Sequence, residues 1–276
     1  MTERILITVK TYPTLSQKYG ELVCTAGIRE DGSWVRLYPV PFRKLSDYEK
    51  YRKYQWLFTR LTPRSQDNRP ESFSPEIDSI ELGDVVSTDD YWAERCRLVL
   101  DTGTVYDDMT KLIKRANSNE LSLATYKPYK ILDLAVEEVE REWNADKLNA
   151  TKNLHRQGDL FADDDQFEKA FRLVRKLPYE FSYKFIDKDG KERKLMIEDW
   201  EIGALYWNCL EHANGDERVA VQKVREKYLN EFVTKTDLHL FVGTTLRYHG
   251  WASNPFVIIG TFTPPKNRHP ELELWS

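Results

Sequence analysis

Residues 22–41 read LVCTAGIREDGSWVRLYPVP, and how they pair decides the fold. Asp31-Gly32 is a two-residue turn signal, because a type I′ turn needs positive φ, which Gly adopts freely and Asp tolerates. A hairpin with that tip pairs Arg29 with Trp34, Ile28 with Val35, Gly27 with Arg36, Ala26 with Leu37 and Thr25 with Tyr38. Alternation then sorts the side chains into two faces. Cys24, Ala26, Ile28, Val35 and Leu37 form a core face; Thr25, Gly27, Arg29, Trp34, Arg36 and Tyr38 form the other. On that second face aromatic rings alternate with guanidinium groups, a surface suited to stacked bases and phosphates. The competing reading packs Trp34 and Tyr38 under a neighbouring element and pairs the arginines with nearby acids, since many sheets bury both faces.

Working outward, Ile5, Ile7 and Val9 alternate with Leu6, Thr8 and Lys10, the pattern of a first strand that Pro13 ends. Tyr12, Lys18 and Tyr19 before the hairpin, and Arg43 and Arg69 after it, extend its aromatic and basic surface. A charged, tyrosine-bearing helix is expected after Pro41, then a strand over 55–61 and a Pro- and Ser-rich loop, TPRSQDNRPESFSPE, carrying Arg64 and Arg69. A strand broken at Gly83, helices over 91–97 and 105–116, and a strand over 129–139 close the first half. Asn, Asp, Gln and Lys dominate from Trp143 to Lys169, as in a linker. The second half holds another Asp-Gly hairpin around 187–190, a helix capped by Asp199, a second helix, and two terminal strands over 238–245 and 256–262. The expected fold class is α+β, β-rich: two small OB-like β-barrels with helical insertions. The expected division is 1–142 for an N-terminal OB-like barrel with a helical insertion, 143–177 for a polar linker or loop, and 178–276 for a C-terminal OB-like domain with two helices.

Composition narrows the function classes. With 276 residues, 41% apolar and 31% charged, the chain has material for one large or two ordinary cores. Its net charge of −4 argues against a surface that is basic throughout, but not against a local basic face. Three dispersed cysteines, Cys24, Cys96 and Cys209, argue against a disulfide framework and for a reducing cytoplasm. No apolar run is long enough to span a membrane, and the first residues lack a signal-peptide pattern.

Few motifs for chemistry stand out. There is no P-loop, GxGxxG or GxSxG, and no histidine falls in a zinc-ligand spacing, so no cofactor, metal or catalytic residue is assigned. Glu198, Asp199 and Glu201 would suit Mg²⁺ in a nuclease, but helix capping accounts for Asp199 and Glu201 without catalysis. Gln157-Gly158-Asp159-Leu160-Phe161 is similar to the peptide by which bacterial polymerases dock on the sliding clamp, although Gly158 replaces the usual leucine. Gln157, Leu160 and Phe161 are therefore candidate protein-partner residues.

The run CTAGIREDGSWVRLYPVPFRKL, the loop NRPESFSP, the segment IEDWEIGALYWN and the strands FVGTT and FVIIGTFTPP together resemble the dual OB-containing domain family of bacteria and archaea. The resemblance covers most of the chain in order. It implies two OB-like barrels and a nucleic-acid role beside phage-defence genes. It marks Trp34, Arg36, Tyr38, Arg69, Asp199 and Glu201 as characteristic positions, with no catalytic role attached. The expected function is that of a DNA- or RNA-binding accessory protein, single-strand or backbone directed, in a phage-defence or DNA-repair system. A protein-interaction adaptor is the alternative, and a metal-dependent nuclease the third.

Overall fold

Four strands open the chain: β1 (Thr2–Lys10), β2 (Thr14–Ser16), β3 (Gly20–Ile28) and β4 (Trp34–Val40). The structure is a computed structural model that describes residues 2–16, 20–40, 50–158 and 174–267. The expected hairpin forms from β3 and β4, one residue out of the expected register. Ile28 pairs with Trp34, Gly27 with Val35, Ala26 with Arg36 and Thr25 with Leu37. The turn is the reason. Gly32 alone takes the left-handed conformation (φ 80°), its N–H donating to Arg29 O at 3.0 Å, while the Arg29 N–H donates to Ser33 O at 2.9 Å. Asp31 instead accepts from the Ser33 N–H (2.9 Å) and hydroxyl (2.6 Å) through its carboxylate. The loop thus has five residues rather than two, a bulged turn.

A slip of one residue exchanges faces. Trp34 and Arg36 lie on the side of Ala26 and Ile28; Val35 and Leu37 lie on the side of Thr25 and Gly27. Both sides are covered. Val35 and Leu37 pack with Ile5, Ile7 and Leu57, whereas Ala26, Ile28 and Trp34 pack with Leu123, Phe241 and Phe262. The expected solvent-facing platform is replaced by an internal contact.

Three more strands, β5 (Gln55–Pro63), β6 (Ser72–Pro75) and β7 (Glu81–Val85), complete the first sheet system. β1 pairs with β3 and β5, β3 with β4, β4 with β6 in parallel, and β6 with β5. The circuit returns to its start, giving a closed five-stranded barrel; β2 and β7 extend it beside β3 and β5. Ile5, Ile7, Val23, Val35 and Leu37 fill one core. A bulge between Ile7 and Val9 turns Val9 to the side of Leu6, where both join the cluster shared with the second half.

The remaining elements are α1 (Asp89–Cys96), β8 (Val105–Tyr106), α2 (Met109–Asn117), β9 (Leu123–Tyr126), β10 (Lys130–Glu138), α3 (Ala145–Gly158), β11 (Tyr179–Ile186), β12 (Glu192–Met196), α4 (Trp200–His212), α5 (Glu217–Arg225), α6 (Phe232–Lys235), β13 (His239–Thr244) and β14 (Phe256–Phe262). Their strands, β8 to β14, make a separate sheet system. One sheet runs β10-β11-β12 and another β14-β13-β9-β8, with a parallel bridge between Ile197 and Ile258 joining them. The strand expected at 129–139 exists, but it pairs with β11 rather than closing the first half. The second Asp-Gly turn repeats the geometry of the first: Asp187 N–H donates to Lys191 O, and Gly190 has φ 78°.

Helix α4 follows from its sequence. Asp199 caps it, its side chain accepting from the Glu201 N–H, and Ile202 and Tyr206 fall on one buried stripe against Phe181 and Tyr183. Part of the expected linker is helix α3, which packs on β2 and β3 with Thr151 fully buried. Among the described residues no helix is long and apolar enough to cross a membrane.

Candidate nucleic-acid interface

The hairpin residues divide between several environments. Trp34 is half-buried, its ring 5.3 Å from that of Phe241 in a T-shaped contact. Arg36 is 2% exposed. Arg29 leaves the group: its guanidinium pairs with Glu3 and lies 5.4 Å from the Phe73 ring centroid. Tyr19 and Arg43 lie outside the described residues, as do Leu160 and Phe161, while Gln157 sits in the last turn of α3.

Three of the expected residues, Arg36, Tyr38 and Arg69, do converge, on a cleft of about 290 Å³ between the barrel and the second sheet system. Arg36 Nη1 donates to Ser122 Oγ (2.9 Å) and Ser72 Oγ (3.4 Å), and its Nη2 to the carbonyls of Ser122 (3.3 Å) and Thr244 (3.4 Å). Arg69 Nη1 donates to the same Thr244 oxygen at 2.5 Å. Two guanidinium groups thus meet on one carbonyl. Arg69 is neutralised by Asp67 through Nε (2.8 Å) and Nη2 (2.6 Å). Among the described residues no carboxylate is bonded to Arg36 directly; Glu71 reaches it through Ser122, whose N–H and hydroxyl donate to Glu71. Burial, then the Arg69 charge, push the Arg36 guanidinium down to about 10. Burial and the same two arginines also push His249, on the same network through Thr244 Oγ1, below its ordinary value.

A third cation stands at this cleft. Arg64 lies 4.7 Å from the Tyr38 ring centroid and donates to Tyr38 O at 2.5 Å. Burial pushes the carboxyl of Glu198, which also lines the cleft, up. Thr245 and Leu246 carry the wall into the loop between β13 and β14. There Trp251 is 68% exposed, Leu246 49% and Tyr248 40%, with the Tyr248 and Trp251 rings 5.7 Å apart and Arg247 5.4 Å from the Tyr248 centroid. An exposed aromatic patch beside buried guanidinium groups is the chemistry expected of the hairpin, at a different address. The crowding of arginines and acids in TPRSQDNRPESFSPE was its sequence signal; nothing local marks Trp251.

Two family models match. One, described as "Domain of unknown function (DUF8758)", covers residues 1–101; the other, "Domain of unknown function (DUF8757)", covers residues 105–275. The chain belongs to the DUF8757 family. No curated protein matches it. The DUF8758 segment coincides with the barrel and the DUF8757 segment with the second sheet system, so Arg36 and Arg69 reach from one into Ser122 and Thr244 of the other.

The acidic trio of the DUF8757 segment separates. Glu198 faces the arginine cleft, while Asp199 and Glu201 turn to Lys53 of the barrel. Lys53 Nζ donates to Glu201 Oε2 (2.6 Å) and Thr261 O (3.0 Å) and stands 3.9 Å from Asp199 Oδ2. Among the described residues no group of three or more His, Cys, Asp or Glu is placed to hold a metal ion. Asp199 Oδ2 is buried with no hydrogen-bond partner among the described residues, and burial pushes this carboxyl up to about 7 despite Lys53.

This has a pH signature. The unfolded chain releases the Asp199 proton near 4, the folded chain near 7, so its contribution to stability is complete below about pH 4 and is lost as pH rises to about 7. Asp199→Asn keeps the cap acceptor and removes the titration. The urea midpoint of the wild type should therefore fall relative to the variant between pH 4 and pH 7, by on the order of 1–3 kcal/mol in stability. Parallel profiles would mean that Asp199 ionises freely.

Proposed function

We propose that the chain binds single-stranded nucleic acid as an accessory protein, the arginine cleft taking a backbone phosphate and Trp251 and Tyr248 stacking on bases. The observation that carries this is the pair of guanidinium groups sharing the Thr244 carbonyl, with no carboxylate among the described residues bonded to Arg36. A buried charge in that state lowers stability unless something completes it, and perturbed ionisable groups cluster at functional sites. A phosphate is the anion that planar, forked donors suit best.

The architecture supports the same reading. In the barrel the first three strands, β1, β3 and β4, run in order, and the parallel β4–β6 contact closes it through β5, the order of an OB-type barrel. The second system repeats that order. If β9 and β10 are one bent first strand, then β11, β12, β14 and β13 follow, and the parallel Ile197–Ile258 bridge stands where β4 meets β6. The proposed units are therefore two OB-like barrels meeting near residues 102–104, later joined by their shared core. In such barrels the loop between the last two strands often contacts oligonucleotides, and Trp251 occupies that loop here. The resemblance to the dual OB-containing family is what points to a phage-defence or repair setting.

Polarisation of a labelled ~20-nucleotide DNA or RNA strand tests the proposal, with binding that weakens as salt rises. Trp251→Ala removes an exposed ring and should lower affinity by roughly 5- to 100-fold, as one lost base stack does. Arg36→Met should lower it at least about tenfold yet leave urea stability within about 1 kcal/mol, because each acceptor keeps another partner and a desolvated charge disappears. Ser122 O still accepts the Thr244 N–H, and Thr244 O still accepts Arg69. No binding of any strand at low salt, or binding indifferent to both substitutions, overturns the reading.

A further inference from the structure

A larger cleft, of about 560 Å³, opens on the other side of the 198–201 connection, and neither the hairpin nor the arginine cleft contributes to it. Its volume falls within the range of small-molecule sites, about 300–1,000 Å³. Two walls are aromatic. Tyr54 and Trp92, from the barrel segment, stand 6.2 Å apart between centroids; Trp200 and Phe232 come from the second segment.

The aromatic wall is held in an unusual backbone. Tyr54 has φ 61°, and Asp90, Tyr91 and Trp92 have φ of 47°, 51° and 66° in succession, a left-handed turn built without glycine. L-residues avoid that region, and departures of this kind concentrate at ligand sites because packing must enforce them. Here the two rings that the strain presents, Tyr54 and Trp92, both line the cleft.

Three cations face the rings. Arg95 lies 4.1 Å from the Tyr54 centroid and 5.0 Å from that of Trp92; its Nε and Nη2 both donate to Val86 O, and its Nη1 makes no hydrogen bond among the described residues. Lys53 is anchored by Glu201 and Thr261 O, and Lys227 is steadied by Glu231 at 2.8 Å. Glu201 is the one carboxylate among the lining residues; it is paired with Lys53, and Glu231 with Lys227, so Arg95 is the lining cation with no ion pair among the described residues.

A planar ring fits between aromatic walls, and an anion fits the cations beside them. We infer that this cleft binds a nucleoside 5′-phosphate, the base against Trp92 and Tyr54 and the phosphate toward Lys227 and Arg95. The site is independent of the strand-binding surface proposed above, being lined by different residues.

Calorimetric titration of the full chain with each of the four ribonucleoside 5′-monophosphates tests it, with adenosine and inorganic phosphate as separate arms. At least one monophosphate should bind saturably, and more tightly than adenosine or phosphate alone. Trp92→Gly removes the ring and suits the left-handed backbone; it should weaken the monophosphate and the nucleoside alike, by at least about tenfold. Lys227→Glu, on a partly exposed side chain, should weaken the monophosphate by a similar factor and spare adenosine. Both variants should keep the oligonucleotide affinity that Trp251→Ala loses, which separates failure of one site from failure of the other. No monophosphate binding at millimolar concentration, or binding equal to that of inorganic phosphate and unchanged in both variants, overturns the inference.

Discussion

Asp67→Ala is expected to lower stability by about 3–5 kcal/mol, read from the urea midpoint at neutral pH. Asp67 is 4% exposed and Arg69 9%. Both carboxylate oxygens hold Arg69, and Oδ1 also accepts the Arg69 N–H at 3.2 Å, so removing the carboxylate strips the guanidinium of its neutralising partner. What remains is worse than one orphaned charge, because Arg36 shares the Thr244 carbonyl with Arg69. The two guanidinium groups would then face each other in a medium that screens poorly. Asp67→Asn keeps one acceptor and should cost about half as much.

Acid adds a check with a defined sign. Burial alone would raise the Asp67 carboxyl, but its bonds to Arg69 and Ser72 outweigh that and hold it at about 2. The stability it contributes is present above the ordinary carboxylate range and is lost as pH falls from about 4 toward 2. The Asp67→Ala chain should lack that part of its acid sensitivity. A loss under about 1 kcal/mol would mean that the 64–71 loop swings Arg69 into water, and that the arginine cleft is no fixed feature of the fold.

Gly203→Ala is the second large effect, and its sign runs against helix propensity. Within a solvated helix this change is worth about 1 kcal/mol in favour of Ala. Gly203 lies in α4, where an added Cβ would sit 2.2 Å and 2.3 Å from two ring carbons of Tyr12 and 3.2 Å from Leu177 Cδ1. The Tyr12 ring is not free to yield. Its hydroxyl donates to Arg175 O at 2.7 Å and accepts from Trp207 Nε1 at 2.8 Å, and its N–H donates to Glu198 O at 2.7 Å. Overpacking of this kind costs about 1–3 kcal/mol and sometimes more, so the net expectation is a loss of about 2 kcal/mol. Thermal unfolding of the variant measures it. A gain would show that Tyr12 is not pinned between the barrel and α4.

Much of the local structure was legible. Strand β14 spans Phe256–Phe262 as its apolar run indicates, and α4 begins where Asp199 offers a cap. The hairpin was legible as a hairpin, but its register was not. Asp31-Gly32 is compatible with a two-residue turn and with the five-residue bulged turn that forms, and the choice moves Trp34 and Arg36 to the other side of the ribbon. Strand β9 carries no local signal, because its four residues, Leu123–Tyr126, are all buried and show no alternation.

The candidate site was half legible. Arg36, Tyr38 and Arg69 are legible as an aromatic and basic set, and they do line one cleft. What they face depended on contacts across more than a hundred residues. Arg36 meets Thr244, and Lys53 meets Glu201, through pairings that no local pattern records.

The sequence by itself determined where β1, the first hairpin, β14 and the start of α4 lie, and which residues alternate along those strands, because propensity, capping and periodicity act over a few residues. Only the tertiary structure decided which side of the hairpin is covered, since alternation names the two faces but not their neighbours. It also decided that the strands after residue 105 pair with the C-terminal half, and that two arginines share one carbonyl between the two segments. Those outcomes depend on how separate apolar surfaces find each other, a property of the assembled chain rather than of any stretch within it.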